Sequence, residues 1–192
     1  MCIYKPEIYY TGIFLIDKIL DEQTADLING LHNTYRQTRD INLLSNLLDI
    51  CDEDTIKLYG ENGEFYCDKK EIYINKTSFT YYHTNHDDYS IISDDPPGMQ
   101  PSSRLLWSYN KEQNGIECNH TFSNWSSNNC ETEWIQYIID TILTPRSYIL
   151  NGSVDCEYHC QYANKFKYII ISNNNVNEII DYVYKGDYIK ID

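Results

Sequence analysis

The fold is decided by the stretch Glu133–Val154, which reads EWIQYIIDTILTPRSYILNGSV. From Trp134 to Leu143, pairs of apolar residues recur at the spacing of one helix face. Pro145 predicts the end of that helix, because proline lacks an amide hydrogen and disfavours a helical residue before it. The residues Tyr148–Val154 then change to an extended, strand-like run. A helix followed so closely by a strand is typical of an α+β domain.

The rest of the chain supplies further strands and helices. Helices are predicted after the possible N-caps Asp21 and Asp40, and a third helical turn is predicted where Asp52-Glu53-Asp54 places negative charge at its start. Strands are predicted at Thr11–Ile19, Arg104–Asn110, Ile116–His120, Tyr148–Gln161 and Phe166–Ser172, with Val176–Tyr184 either a last strand or a short helix. This order predicts a ferredoxin-like antiparallel sheet with helices packed on one face, plus an N-terminal helical insertion.

Length and composition predict a globular chain with a substantial core. The sequence has 192 residues, of which 42% are hydrophobic and 14% aromatic. We therefore expect a single α+β domain over residues 1–192. No apolar run approaches the roughly 20 residues that a membrane helix needs, and the N-terminus lacks a secretion signal pattern. The expectation is a soluble, cytoplasmic protein that engages no membrane.

The charge balance is strongly acidic, with 15 Lys and Arg against 29 Asp and Glu and a formal net charge of −14. Such a surface repels phosphates, so direct nucleic-acid binding is disfavoured. An acidic surface can also act as a decoy in another protein's nucleic-acid groove. Plain solubility is the more common reason for such a charge.

Cysteine usage predicts reduced thiols and no metal. Seven cysteines, an odd number, are scattered along the chain without the pattern of a disulfide framework. Cys156, His159 and Cys160 invite a zinc interpretation, but on a strand the two cysteines face one side and the histidine the other. His83 and His86 lack a helical frame and a suitably placed carboxylate. We therefore predict no metal and no cofactor.

Several short motifs are distributed along the chain. In the first half they are Leu27-Ile28-Asn29-Gly30-Leu31, Arg36, Arg39-Asp40, Tyr59-Gly60 and Gly63-Glu64-Phe65-Tyr66. In the second half they are Pro96-Pro97, Gln100-Pro101, Leu106-Trp107, Glu133-Trp134, Tyr137-Ile138, Pro145, Tyr148, Leu150-Asn151-Gly152 and Val154. These motifs resemble those of an uncharacterised protein family of bacteria, phages and giant DNA viruses, over most of the chain and in the same order. Because that family has no established activity, the resemblance implies a kinship of fold.

The sequence departs from the family pattern at two places. Tyr109 stands where a second tryptophan is usual, and Asp155-Cys156-Glu157 stands where a tryptophan followed by Gly-Glu is usual. If the family uses a tryptophan-lined pocket, these changes imply an altered or lost ligand in this member. The resemblance and the Asn-rich composition together indicate a giant-virus source.

Five residues are candidates for ligand binding. Arg36 and Arg39, two of four arginines, can form an anion clamp near a helix end, or pair with carboxylates such as Asp40 or Asp26. Trp107 and Tyr109 can line a groove or pack in the core. Asn151, followed by Gly152, indicates a bulge or a close approach of backbones that can lie beside a ligand.

No catalytic or nucleotide-binding motif is present in the sequence. The leading hypothesis is a non-enzymatic acidic binding module, a viral accessory protein that engages a protein partner or a small-molecule ligand. One alternative is an enzyme acting on a phosphorylated or nucleotide-like small molecule held by Arg36 and Arg39. The other is a self-associating structural virion component, which fits a homodimer.

Overall fold

A computed structural model describes residues 7–67, 88–118, 130–159 and 163–184. The helices are α1 (Glu22–Asn33), α2 (Ile41–Leu48), α3 (Asp52–Tyr59) and α4 (Glu131–Ile138). The strands are β1 (Glu7–Ile16), β2 (Thr38–Arg39), β3 (Ile91–Ser93), β4 (Ser108–Asn110), β5 (Gly115–Glu117), β6 (Leu150–His159), β7 (Ala163–Ser172) and β8 (Asn175–Tyr184). The predicted α+β class is confirmed.

Two compact units make up the chain. The first, here called the sheet unit, comprises Met1–Asp21 and Leu106–Asp192, and the second, the helical unit, comprises Glu22–Leu105. Each has its own buried apolar residues, such as Phe14 and Trp134 in the sheet unit and Ile28 and Leu44 in the helical unit. The expectation of a single domain over residues 1–192 stays a prediction.

The sheet unit is built on six strands in the order β4-β5-β1-β6-β7-β8, and every neighbouring pair is antiparallel. Strand β1 lies in the middle and pairs with β6 along its full length, from Glu7 opposite His159 to Ile16 opposite Leu150. Because side chains alternate between faces, residues directly opposite each other point to the same side of the sheet. The register therefore fixes which side chains share a face.

Helix α4 covers one face of this sheet. Trp134, Ile135 and Ile138 are fully buried, as the repeat of apolar pairs predicts. The helical backbone does not end before Pro145, however. It continues through a π-helical turn at Ile139–Leu143 and a 3₁₀ turn at Thr144–Arg146. Pro145 lies in the first turn of that 3₁₀ segment, where a missing amide hydrogen costs little.

A pair of glycines lets β1 and β6 approach closely. Gly12 and Gly152 both have left-handed φ values, +114° and +129°. A Cβ atom on Gly12 would lie 2.4 Å from the Ser153 carbonyl oxygen, and one on Gly152 would lie 2.8 Å from that of Ile13. The predicted close approach of backbones at Asn151-Gly152 is therefore confirmed.

The helical unit contains α1, α2 and α3 together with the short β2–β3 ladder. Asp40 is the N-cap of α2, and its carboxylate accepts hydrogen bonds from the Asn42 and Leu43 amides at 2.9 and 3.1 Å. Helix α3 starts with the acidic residues Asp52, Glu53 and Asp54 and has Gly60 as its C-cap. All three predicted helices of this region are confirmed.

The C-terminal hairpin joins β7 to β8 through two asparagines. Asn173 and Asn174 both have positive φ values, 48° and 65°, as a type I′ turn requires. The ladder then runs without interruption from Ser172 opposite Asn175 to Ala163 opposite Tyr184. Val176–Tyr184, which the sequence left between helix and strand, is thus a strand.

Candidate functional site

The face of the sheet opposite α4, here called the outer face, is open to solvent. It carries the odd-numbered residues of β1, β6 and β8, the even-numbered residues of β7, and Glu117 of β5. Several large apolar side chains are exposed on it, including Leu15 (51%), Ile179 (54%) and Val183 (52%). Tyr9 and Ile170 add to this set. Apolar area is therefore distributed over β1, β7 and β8.

Charge on the outer face has one sign. Glu117, Asp155, Glu157 and Asp181 all belong to it by register. Among the described side chains of this face there is no lysine or arginine. The face is thus both partly apolar and acidic, and on it His159 Nε2 lies 3.1 Å from Glu157 Oε1.

The opposite face holds a buried polar cluster centred on Glu131, the first residue of α4. Its side chain is fully buried. The hydroxyls of Tyr10 and Tyr158 each donate to Glu131 Oε1 at 3.0 Å, and Lys167 Nζ donates to Oε2 at 3.3 Å. The indole Nε1 of Trp107 donates to the Glu131 backbone carbonyl at 2.9 Å. One helix residue is therefore bonded to three strands and to the segment before β4.

Burial and nearby carboxylates shift the pKa values of the side chains that contact Glu131. Burial raises the pKa of the Tyr10 and Tyr158 phenols well above the ordinary range, and the Glu131 carboxylate raises both further. Burial lowers the pKa of Lys167, but the carboxylates of Glu131 and Glu178 outweigh it and hold that pKa above its ordinary value. The lysine is thus a cation between two carboxylates, with Glu178 Oε2 at 3.2 Å.

Arg36 lies in the helical unit with only 1% of its surface exposed. Its guanidinium donates to the carbonyls of Tyr66 (2.6 Å), Glu64 (2.6 Å) and Gly63 (3.2 Å), and to Gln100 Oε1 (2.9 Å). Residues 60–67 have no regular secondary structure, so their carbonyls need donors from elsewhere. Arg36 supplies these donors, and its side chain holds the segment in place.

Arg39 is also buried and is paired in a different way. It forms an ion pair with Asp88, donates to Ser90 Oγ at 2.8 Å, and lies over the Tyr66 ring at 4.1 Å from its centroid. Burial raises the pKa of Asp88, but hydrogen bonds from Ser90 and Arg39 outweigh it, so this pKa lies below its ordinary value. The carboxylate partner expected as the alternative to an anion clamp is therefore present, as Asp88.

The other three ligand-binding candidates belong to the sheet unit. Trp107 is fully buried and packs at 5.3 Å, between ring centroids, on Phe14. The hydroxyl of Tyr109 donates to Asn114 Oδ1 at 3.0 Å, and Asn151 Oδ1 accepts from the Asn173 amide at 2.8 Å. The five candidates thus fall in two units, and four of them, all except Asn151, are buried. Their role in ligand binding stays a prediction.

The expectation that no metal is bound stays a prediction. Cys156 is buried on the α4 side, as expected, and His159 lies on the outer face. Cys160, His83 and His86 lie outside the described residues. In the part of the chain that the structure describes, no three His, Cys, Asp or Glu side chains group in a way that could hold a metal ion.

Glu131 and Lys167 were missed at the level of sequence, although both carry a signal. Glu131 precedes Trp134, Ile135 and Ile138 by three, four and seven residues, which is the spacing of the buried helix face. Lys167 shares a strand face with Ile169 and Ile171, both buried. A carboxylate and an ammonium at two apolar positions predict a buried pair.

Comparison of the chain with protein-family models, curated proteins and solved structures finds no match. Within the described ranges, none of the helices combines the length and the apolar character needed to cross a membrane.

Proposed function

We propose that this chain is a non-enzymatic binding module that engages a protein partner through the outer face of its six-stranded sheet. The observation that carries the proposal is the character of that face, which combines exposed apolar side chains with carboxylates and, among its described residues, no cation. The partner we propose is a protein segment with lysine or arginine around apolar side chains.

The apolar part of the face supports a macromolecular ligand. Leu15, Ile170, Ile179 and Val183 are spread over three strands, so they form an open surface. Small-molecule sites are usually concave, whereas protein interfaces are flat and rich in aliphatic and aromatic area. Tyr9 at one end adds the residue type that contributes large contact area at little entropic cost.

The charges specify the kind of partner. Asp155, Glu157, Glu117 and Asp181 share the face, and a basic segment would be attracted to them before contact. The attraction between these carboxylates and a basic segment would weaken as salt is added, because the carboxylates are close to solvent. The same charges repel phosphate, which supports the expectation of no direct nucleic-acid binding.

The alternative enzyme requires Arg36 and Arg39 to hold a phosphate. Both guanidinium groups already have protein partners, namely carbonyls for Arg36 and Asp88 for Arg39. Anion binding would have to break these bonds, so we favour the binding module. The ferredoxin-like arrangement, the insertion of α1–α3 after β1, the viral source and the cytoplasmic location stay proposals beside it.

A random peptide library displayed on phage tests the proposed partner chemistry. We expect the full chain to select peptides enriched in lysine or arginine next to aliphatic or aromatic residues. Binding of a selected peptide, measured by fluorescence anisotropy, should weaken by about tenfold or more in the double variant Asp155→Lys with Glu157→Lys. It should also weaken as salt concentration rises.

The matched control is Glu61→Lys with Glu112→Lys. Both residues are exposed, neither lies on the outer face, and the pair changes the net charge by the same amount. This control should leave peptide affinity within about twofold, since only the overall field changes. Equal loss in both double variants, or selected peptides without basic residues, would contradict the proposal.

A further inference from the structure

The two edges of the six-stranded sheet differ in how they are protected. One edge is β4, which has three residues, whereas the other is β8, which has ten. Within the described part of the chain, β8 pairs with β7 alone. Natural proteins protect exposed edges with short strands, lysine, proline or bulges, because an open edge is a template for another strand. β4 fits that rule and β8 does not.

Strand β8 lacks most of the usual protections, and its charged residues are Glu178 and Asp181. Its sequence NVNEIIDYVY has no lysine and no proline, and its register with β7 is uninterrupted over ten residue pairs. Apolar side chains are exposed on both of its faces, with Ile179 and Val183 on one and Ile180 (43%) and Tyr182 (54%) on the other. The edge is therefore long, regular and apolar.

The hairpin fixes which backbone groups β8 presents at this edge. In a two-residue hairpin, the closing pair, here Ser172 and Asn175, exchanges both of its hydrogen bonds. The alternation along the strand then directs the odd-numbered amides and carbonyls of β8 toward β7. Those of Val176, Glu178, Ile180 and Tyr182 are directed away from the sheet.

We propose that this edge pairs with β8 of a second copy of the chain, antiparallel and about a two-fold axis at Ile179. In that register Asn175–Val183 overlaps completely with the same segment of the partner subunit. Glu178 lies opposite Ile180 of the partner subunit, and Val176 opposite Tyr182 of the partner subunit. Each such pair consists of residues whose amides and carbonyls point outward, so the ladder continues across the axis.

The side chains of β8 are self-complementary in this register. Asp181 lies opposite Asn177 of the partner subunit, so a carboxylate meets an amide donor. Glu178 already has partners within its own chain, namely the Lys167 ammonium at 3.2 Å and the Thr132 hydroxyl. Ile179 meets its own counterpart, and Tyr182 meets an aliphatic side chain. In this register no carboxylate of β8 faces a carboxylate of the partner subunit, so two acidic chains can pair along this edge. This complementarity is the reason that we propose a second copy of the chain as the occupant.

Sedimentation velocity of the full chain over a range of micromolar concentrations tests the pairing. We expect a dimer that dissociates on dilution. Ile180→Pro should raise the dissociation constant by about a hundredfold, because it removes an outward amide hydrogen and puts a ring at the edge. The ladder with β7 does not use that amide. Ile180→Val keeps the amide and should change the constant by less than about threefold.

The register has its own test at Asn177. Asn177→Lys should tighten the dimer by roughly three- to tenfold, because each lysine faces Asp181 of the partner subunit. Asn177→Asp should weaken it by a similar factor, because two carboxylates then face each other. Exchanging the two residues, Asn177→Asp with Asp181→Asn, should restore the original affinity.

A wild-type chain that sediments as a monomer throughout would overturn the proposal. Slow hydrogen exchange of the outward amides in such a monomer would then assign the edge to another segment of the same chain. A dimer indifferent to Ile180→Pro would also overturn it. The Asp155→Lys and Glu157→Lys variant leaves β8 intact, so peptide binding and dimerisation succeed or fail independently.

Discussion

The sheet unit and the helical unit each bury a charged side chain, Glu131 and Arg36, and stabilise it differently. Glu131 is bonded by the side chains of Tyr10, Tyr158 and Lys167. Arg36 is bonded mainly by backbone carbonyls of residues 63–66. In the sheet, ladder hydrogen bonds already satisfy the backbone, so a buried charge must find side-chain partners. In the helical unit, the buried charge replaces secondary structure that residues 60–67 lack.

This comparison predicts that Glu131→Ala causes the largest loss of folding stability. Removing the carboxylate leaves Lys167 buried beside one remaining carboxylate and two phenols without their acceptor. We expect a loss of about 3–5 kcal/mol in the free energy of unfolding. Urea unfolding followed by tryptophan fluorescence measures it, because Trp107 and Trp134 both belong to the sheet unit.

Two further variants separate charge from packing at this position. Glu133→Ala, an exposed neighbour in the same helix turn, should cost less than about 1 kcal/mol. Glu131→Met with Lys167→Met removes both charges and should recover much of the loss, since apolar replacement of a buried ion pair is often tolerated. A double variant as unstable as Glu131→Ala would show that the charges are not coupled.

The second prediction concerns Arg36→Met, which removes one donor from each of three carbonyls and from Gln100, while Glu64 O keeps the Gln100 amide and Gly63 O keeps the Tyr66 amide. We expect a loss of about 2–3 kcal/mol, less than at Glu131 because water can reach part of the freed segment. Hydrogen exchange should accelerate at residues 60–67 and leave β6 and β7 unchanged. Arg36→Lys should not restore protection, since an ammonium cannot reproduce the guanidinium fork.

Arg104→Met is the matched control, because it removes an arginine of the same unit that lies over the Tyr35 ring at 5.8 Å. Its effect on exchange at residues 60–67 should be small. Equal acceleration in both variants would mean that Arg36 acts through general stability and not through the carbonyls it contacts.

The third prediction is that alkali destabilises mainly the sheet unit, whereas acid acts on both units, through Asp88 in the helical unit and through Glu178, whose pKa is also lowered, in the sheet unit. In the sheet unit the pKa values of Tyr10, Tyr158 and Lys167 are raised. Their stabilisation is complete below the unfolded pKa values of 10.0 and 10.5 and is lost as pH rises above them, at about 1.4 kcal/mol per pH unit for each group. Tyr158→Phe should make this loss less steep.

In the helical unit the pKa of Asp88 is lowered. Its contribution is therefore complete above the unfolded value of 3.8 and is lost as pH falls through the lower folded value. Asp88→Asn should remove this acid sensitivity and leave the alkaline response of the tryptophan signal intact. If acid and alkali affected both units equally, the contrast between the two buried clusters would be wrong.

The smallest predicted effect is that of Asp40→Ala, which removes the N-cap of α2. The carboxylate accepts two amide hydrogen bonds, and such a cap is worth about 1 kcal/mol. Faster hydrogen exchange confined to the first turn of α2 would report it, and Asp40→Asn should recover most of the protection. An effect as large as that of Arg36→Met would mean that Asp40 does more than cap the helix.

The elements of this fold follow from local chemistry and were largely predictable. Asp40, Gly60 and the turn at Asn173 and Asn174 each set a boundary through their own backbone preferences. The end of the helix at Pro145 was predicted wrongly, because a proline in the first turn of a 3₁₀ segment does not interrupt it. The end of a helix or strand can be predicted from sequence when the backbone preference of one or two local residues sets it. It is harder to predict when it depends on a change from α-helix to π- or 3₁₀-helix.

The candidate site was less accessible, because it depends on pairings far apart in the chain. The acidic outer face exists only once Glu117, Asp155 and Asp181 are brought into register by β1, β6 and β7. Arg36 and Arg39 looked alike in sequence, yet one meets backbone carbonyls and the other a carboxylate some fifty residues away. No local pattern distinguishes these outcomes.

The central position of β1 has a consequence for synthesis on the ribosome. β1 is complete at Ile16, but its long partner β6 begins only at Leu150. At about 5–20 residues per second, translation of the intervening chain takes roughly 7–27 s. The helical unit, Glu22–Leu105, is synthesised completely in that interval, whereas β1 still lacks its partner β6. Among the described strands, β1 therefore has the longest delay between its own synthesis and that of its long partner.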